Sequence, residues 1–164
     1  MNADDIPVRH TPTGGFGADF PEPILAECTE SLVEGAVDMR GLWRVTEAVV
    51  DGKVVPDHRV VGLVQRIEQC GDRVVVTSGG VVHDMRADGT EEHGVRDVAE
   101  IDFTTEITVV ATFEDGVHVL RPVGIPIEVR RWRDGDDLMW DYGLFAARLT
   151  KLGPAGMAPA DVPG

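Results

Sequence analysis

The chain has 164 residues, 43% of them hydrophobic and 27% charged, with 15 Lys+Arg against 29 Asp+Glu for a formal net charge of −14. That size and mix describe one domain with a packed core. The acidic balance excludes a phosphate-backbone binder, whose affinity comes from Lys and Arg, and disfavours an anionic membrane surface. No apolar run approaches the roughly 20 residues of a transmembrane helix. The acidic start, Met1 to Asp5, is not followed by the apolar stretch of a secretory signal. Cys28 and Cys70 read as the thiols of a reduced cytoplasmic chain. The sequence has no metal-spaced Cys/His cluster, no glycine-rich loop leading into a helix, and no Gly-x-Ser-x-Gly element.

Residues 1–22 read as a mobile leader, because Thr11-Pro12-Thr13-Gly14-Gly15-Phe16-Gly17 holds no regular structure. Over 24–38, Leu25, Cys28, Leu32 and Ala36 recur at helical spacing and Ser31-Leu32-Val33-Glu34 matches a capping box, which predicts a short helix. Residues 40–152 are rich in valine (25 in the chain, against 2 lysines) and punctuated by turn dipeptides. These are Asp51-Gly52, Gly71-Asp72, Gly79-Gly80, Asp88-Gly89, Asp115-Gly116 and Asp134-Gly135. Strands are expected near 41–50, 58–69, 73–78, 81–87, 91–99, 101–104, 107–114, 117–123, 126–133, 137–142 and 144–152. No gap between them accommodates a crossover helix, so the pattern is an antiparallel meander that closes into an up-and-down β-barrel of eight to ten strands. The tail from Gly153, with Pro154, Pro159 and Pro163, is expected to be disordered. The division is thus leader and lid helix 1–39, barrel 40–152 and tail 153–164.

The turns phase the strands. A Gly79-Gly80 loop sets Ser78 opposite Val81, Val76 opposite His83 and Val74 opposite Met85; Arg73, Asp84 and Arg86 then face water. Gly71-Asp72 sets Ile67 opposite Val76 and Gln65 opposite Ser78, with Val61 and Leu63 on the same inward face. Asp115-Gly116 pairs Phe113 with His118 and Ala111 with Leu120. Asp134-Gly135 pairs Val129 with Trp140 and Ile127 with Tyr142. On the first strand Trp43, Val45, Glu47 and Val49 share a face. The interior so phased is an apolar wall with a few polar handles, the make-up of a ligand pocket. Gln65, His83, Tyr142 and Glu47 are the candidate catalytic or orienting groups, Glu47 inward or at the rim. Trp140, Met85, Phe113, Val76, Leu63, Ala111 and Leu120 line the channel. His118, one residue from its turn, belongs at a barrel mouth. Arg130, Arg131 and Arg133, with Trp132 among them, read as a solvated strand end.

Gly41-Leu42-Trp43 near the start and Arg148 near the end resemble the lipocalin and calycin pattern, in which a Gly-x-Trp packs near a late Arg and closes the barrel base. The resemblance implies that Trp43 and Arg148 meet there. A longer stretch is more specific: Val76-Thr77-Ser78-Gly79-Gly80-Val81-Val82-His83-Asp84-Met85, Asp88-Gly89-Thr90, His93-Gly94-Val95-Arg96-Asp97-Val98, and Asp115-Gly116-Val117-His118-Val119-Leu120-Arg121-Pro122. It resembles the lipocalin-like cyclases of actinomycete polyketide pathways, the spirotetronate and spirotetramate [4+2] cyclases. That resemblance implies a cofactor-free, metal-free Diels–Alder-type cyclase acting on an unsaturated polyketide. It also implies an N-terminal segment, 23–38 by position, capping the open end. The expected partner is a small-molecule substrate, with no nucleic acid and no membrane, and a homodimer is admitted. The alternative is a non-catalytic calycin that binds or sequesters a hydrophobic small molecule; an interaction domain with a filled barrel is a third reading.

Overall fold

The structure, a computed structural model, describes residues 1–17, 20–99 and 105–163. Among the described residues, eleven strands form one antiparallel sheet: β1 Gly41–Val50, β2 Lys53–Val54, β3 Val64–Cys70, β4 Arg73–Ser78, β5 Val81–Arg86, β6 Val95–Val98, β7 Glu106–Glu114, β8 Val117–Pro122, β9 Val129–Asp134, β10 Asp137–Asp141 and β11 Ala146–Gly153. The strand expected over 101–104 lies outside the described residues. Neighbours run β5-β4-β3-β1-β11-β10-β9-β8-β7-β6, with β2 a spur on β1. The first and last strands are therefore hydrogen-bonded to each other, as when a meander curls back on itself. The two ends of that path, β5 and β6, meet at a seam where the Arg86 N–H donates to the His93 carbonyl at 2.7 Å. The result is a nearly closed all-β barrel.

The tight turns set the register as phased. Gly79 and Gly80 (φ 56° and 90°), and Asp115 and Gly116 (φ 50° and 79°), all sit in the left-handed region a two-residue hairpin needs. Val76 faces His83, Gln65 faces Ser78 and Phe113 faces His118. Two pairings differ from expectation. The β9–β10 loop is Gly135 and Asp136, since Asp134 faces Asp137, so Trp140 lies opposite Arg131 and not Val129. A slip of two keeps every side chain on its face and changes its partner. On β1, Val45 faces Leu149 but Glu47 faces Arg148, which makes Thr46 the extra residue of a bulge. The bulge reverses the phase: Ala48 and Val50 pack into the core while Glu47 turns outward beside Arg148, so Glu47 leaves the interior set.

The barrel's closed end is built around Trp43. Its Nε1–H donates to the Met39 carbonyl at 2.9 Å, and Met39 is fully buried. A Cβ on Gly41 would stand 3.1 Å from that same indole nitrogen and 2.9 Å from Lys151 Cε, which is why glycine precedes this tryptophan by two. The cation over the Trp43 ring is Arg133, at 5.3 Å, with Lys151 at 6.0 Å. Arg148 does not meet Trp43; it alternates with inward Ala147 and Leu149, faces out, and pairs with Asp134 and Asp137 at 2.8 and 2.9 Å.

The leader departs most from expectation. Among the described residues the only helical pieces are single 3₁₀ turns at Ala3–Asp5 and Pro159–Asp161, so no lid helix forms over 24–38. Nor does the segment cap the open end. It runs over the outer face of β3–β5, where the phasing put Arg73 and Asp84 in water. All five Arg73 donors are used: two on the Asp84 carboxylate (2.8 and 2.6 Å) and three on the carbonyls of Ala3, Ile6 and Pro7. The Glu68 carboxylate likewise accepts the Ile24 and Leu25 N–H groups. Backbone groups that a helix would have bonded internally are bonded to the sheet instead. A second small core of Ala3, Leu25, Cys70, Val75 and Val82 lies beneath, and Cys28 is disulfide-bonded to Cys70. The cysteines are thus not free thiols, and the argument they offered for a cytoplasmic location falls away. Among the described residues no helix is long and apolar enough to cross a membrane. The tail is placed as well, the Met157 carbonyl accepting from Arg66.

Candidate ligand-binding interior

One row of cross-strand partners crosses the barrel wall: Ala48 on β1, Ala147 on β11, Trp140 on β10, Arg131 on β9, His118 on β8 and Phe113 on β7. Two buried alanines stand at one end of the row and the large side chains at the other, with Ala111 buried as well. Arg131 is 5% exposed, so the reading of a solvated strand end is overturned for this residue. It sits inside because it shares the inward phase of Val129. Its Nη2 donates across the lumen to Gln65 Oε1 at 3.3 Å, and its guanidinium lies 5.1 Å from the Trp140 ring centroid. A planar cation against an aromatic face keeps attraction while burying its apolar faces.

His118 is fully buried and packs against Phe113 at 5.2 Å, so it is not exposed at a mouth as its place beside the turn had indicated. Burial, with the Arg131 charge adding to it, pushes its pKa down to about 3. The ring is neutral at ordinary pH, with one N–H to give and one lone pair to accept. Among the described residues neither ring nitrogen has a hydrogen-bond partner, and the same holds for Gln65 Nε2, Ser78 Oγ and Trp140 Nε1. Each of these side chains points inward. A buried polar atom left unbonded costs about 1–3 kcal/mol. A group of them on one apolar wall is a set of unused donors and acceptors facing the interior.

The other candidates are distributed around this row. Val76, Met85 and Ala111 are buried in the interior core, and Leu63, Phe113 and Leu120 are partly buried against it. His83 faces inward, but its Nε2–H donates to the Val98 carbonyl at 3.1 Å, so it is committed to the β5–β6 seam. Burial lowers its pKa. Tyr142 stacks on Phe145 at 5.5 Å, both rings edge-on to Trp140 and His58 beside Phe145 at 4.9 Å. These rings line the open end, where Val54 on β2 and Val123, Ile125 and Leu144 on the loops are exposed. The structure brings Gln65, Ser78, His118, Arg131 and Trp140 together, sets His83 and Tyr142 apart from them, and removes Glu47. Arg131 is the residue the sequence reading missed, although the alternation Val129, Arg131, Arg133 carried the signal.

No family model matches the sequence, and no curated protein does. Among solved structures the chain is similar to human cRBP IV, a cellular retinol-binding protein, with a TM-score of 0.51 at 11% sequence identity over 70% of this chain and 98% of that one. At that identity the likeness establishes the fold, a lipocalin-like barrel, and nothing finer.

Proposed function

We propose that the barrel interior binds an elongated, largely apolar small molecule by a polar end group, a carboxylate, enolate or carbonyl. The observation that carries this reading is the set of inward polar atoms without partners at Gln65, Ser78, His118 and Trp140, gathered beside the Arg131 guanidinium on an apolar wall. Donors outnumber acceptors there, and the charge is positive, so an electron-rich oxygen is the matching group. Human cRBP IV, by its name, binds retinol, and its barrel is similar in fold. Titration with cis-parinaric acid, a fluorescent polyene carboxylic acid, is expected to show saturable single-site binding. Arg131→Met and Gln65→Ala weaken it, and Val33→Ala, on the exposed leader, does not. Failure of both parinaric acid and retinol to bind overturns the reading.

The finer proposal is turnover: a cofactor-free intramolecular [4+2] cycloaddition of an unsaturated polyketide. It is supported by the resemblance through residues 76–98 and 115–122 to the spirotetronate-type cyclases. Folding a polyene so that diene and dienophile meet is worth roughly 7–11 kcal/mol when the bound geometry is near attack. A hydrogen bond from Gln65 or Trp140 to the carbonyl that activates the alkene adds an electronic contribution. Incubation with a linear tetronate polyene should yield cyclised product faster than buffer alone. Tight binding of product without acceleration of any linear precursor decides for the non-catalytic carrier.

A further inference from the structure

The β5–β6 seam has an unusual cover. From outside, leader residues Arg9 to Thr11 bond to both of its edges. The Arg9 N–H donates to Asp84 Oδ2 at 3.0 Å on β5. The Thr11 hydroxyl accepts from the Val82 N–H at 3.0 Å and donates to the Val82 carbonyl at 3.4 Å, also on β5. The Thr11 N–H then donates to Asp97 Oδ2 at 2.8 Å on β6, with His10 Nδ1 3.5 Å from the same oxygen. From inside, His83 reaches the Val98 carbonyl. Side chains and a foreign backbone thus do part of what a β-ladder does elsewhere in the barrel.

Beside this cover lies a groove of about 500 Å³, lined by Ile6, Pro7, Val8, His10, Arg86 and Arg96 among others. Its floor includes Met85, which is 2% exposed and belongs to the interior core. Met85 therefore borders both the groove and the interior core. The strap also has fixed ends and a soft middle. Arg73 holds the carbonyls of Ala3, Ile6 and Pro7 on one side, and the Phe16 N–H donates to the Gly80 carbonyl on the other. Between them, Gly14 and Gly15 stand at positive φ, 80° and 78°, and a Cβ on Gly14 would meet nothing within 4 Å. Residues 8–15 are placed to lift while the rest of the leader stays docked.

We propose that the seam is a side entrance to the barrel interior, with the groove as its vestibule and Arg9 to Thr11 as its strap. The entering molecule is the apolar ligand of the proposed function, so this inference rests on that reading for its purpose, though not for its test. Met85→Cys places a free thiol at the seam, the native cysteines being bonded to each other. Thr11→Val keeps the side chain's volume and removes the hydroxyl bonds to Val82. It should raise maleimide labelling of the Met85→Cys thiol about tenfold, and hydrogen exchange of the Arg86 amide across the seam by a similar factor. Phe145→Ala, which widens the open end, should leave both rates within about twofold. Unchanged rates in Thr11→Val, or labelling accelerated by Phe145→Ala alone, overturn the proposal. If Met85→Cys does not fold, Arg86 exchange in Thr11→Val decides by itself. Both readouts are taken without ligand, so a chain that binds no ligand sinks the interior-binding reading while leaving this result standing.

Discussion

His118 ties the site to acid stability. Its folded pKa is about 3 against an ordinary 6.5, because the imidazolium is shut out by burial and by the Arg131 charge. Between those values the unfolded chain binds a proton that the folded chain refuses, so stability falls as pH falls through that window. From this group alone the loss between pH 7 and pH 5.5 is about 1 kcal/mol, reaching about 2 kcal/mol by pH 5. With a urea slope of about 2 kcal/mol/M, that moves the unfolding midpoint down by about 1 M at pH 5. His118→Gln removes the titration and roughly keeps the volume. Urea unfolding at pH 7, 5.5 and 5, followed by tryptophan fluorescence, should show the wild type losing more stability than the variant by those amounts. His83, whose pKa burial also lowers, contributes with the same sign in both proteins and cancels in the comparison. Glu68, its pKa raised by burial, acts in the opposite direction as pH falls, and it too is the same in both proteins and cancels. Equal pH slopes for the two proteins refute the buried neutral imidazole.

Further expectations follow from particular contacts. Arg73→Met leaves the Asp84 carboxylate buried without its partner and should lower stability by about 3–5 kcal/mol in chemical denaturation; a loss under 1 kcal/mol means the leader is not docked there. Reducing Cys28–Cys70, which closes a loop of 42 residues, should cost about 4 kcal/mol by chain entropy, read as a lowered Tm under reductant. Ala111→Trp fills the interior beside His118 and should abolish parinaric acid binding while the circular dichroism stays that of a β-sheet. If turnover is found, Gln65→Ala should slow it by the worth of one hydrogen bond, about 1–3 kcal/mol, and not abolish it.

The barrel was legible where local chemistry decides. Gly79-Gly80, Gly71-Asp72 and Asp115-Gly116 each force one register, and alternation then assigns faces with no knowledge of the partner strand. What failed was set at longer range. The bulge at Thr46 depends on how β1 is shared between β3 and β11, and nothing in Val45-Thr46-Glu47-Ala48 announces it. Arg133 lies over Trp43 in place of Arg148 because it shares the inward phase of Val129 and Arg131, whereas Arg148 faces out between Ala147 and Leu149. Arg131 was hidden by composition: three arginines around a tryptophan read as surface, although β-alternation alone puts every second one inside. The leader was missed because its order is borrowed. A stretch rich in proline and glycine makes no helix, yet its carbonyls and N–H groups still find Arg73, Asp84 and Glu68 waiting on the sheet.

That borrowed order explains an otherwise odd feature of β3–β5. An outward strand face carrying Glu68, Arg73 and Asp84 next to Cys70, Val75 and Val82 suits neither water nor a core. It suits a non-helical segment whose backbone must find hydrogen-bond partners outside itself. The charged groups satisfy the leader's backbone, and the apolar ones pack beneath it. Because an isolated buried ion pair is weak evidence of stability, the use of Arg73 lies in its geometry: five donors shared between β5 and three leader carbonyls fix where the strap begins. The same leader then meets Asp97 on β6, so its docking closes the barrel's last gap as well as covering its wall. A segment that packs on one edge strand and bonds to the other does the work of the missing ladder. It does so with contacts that can be undone without breaking the sheet.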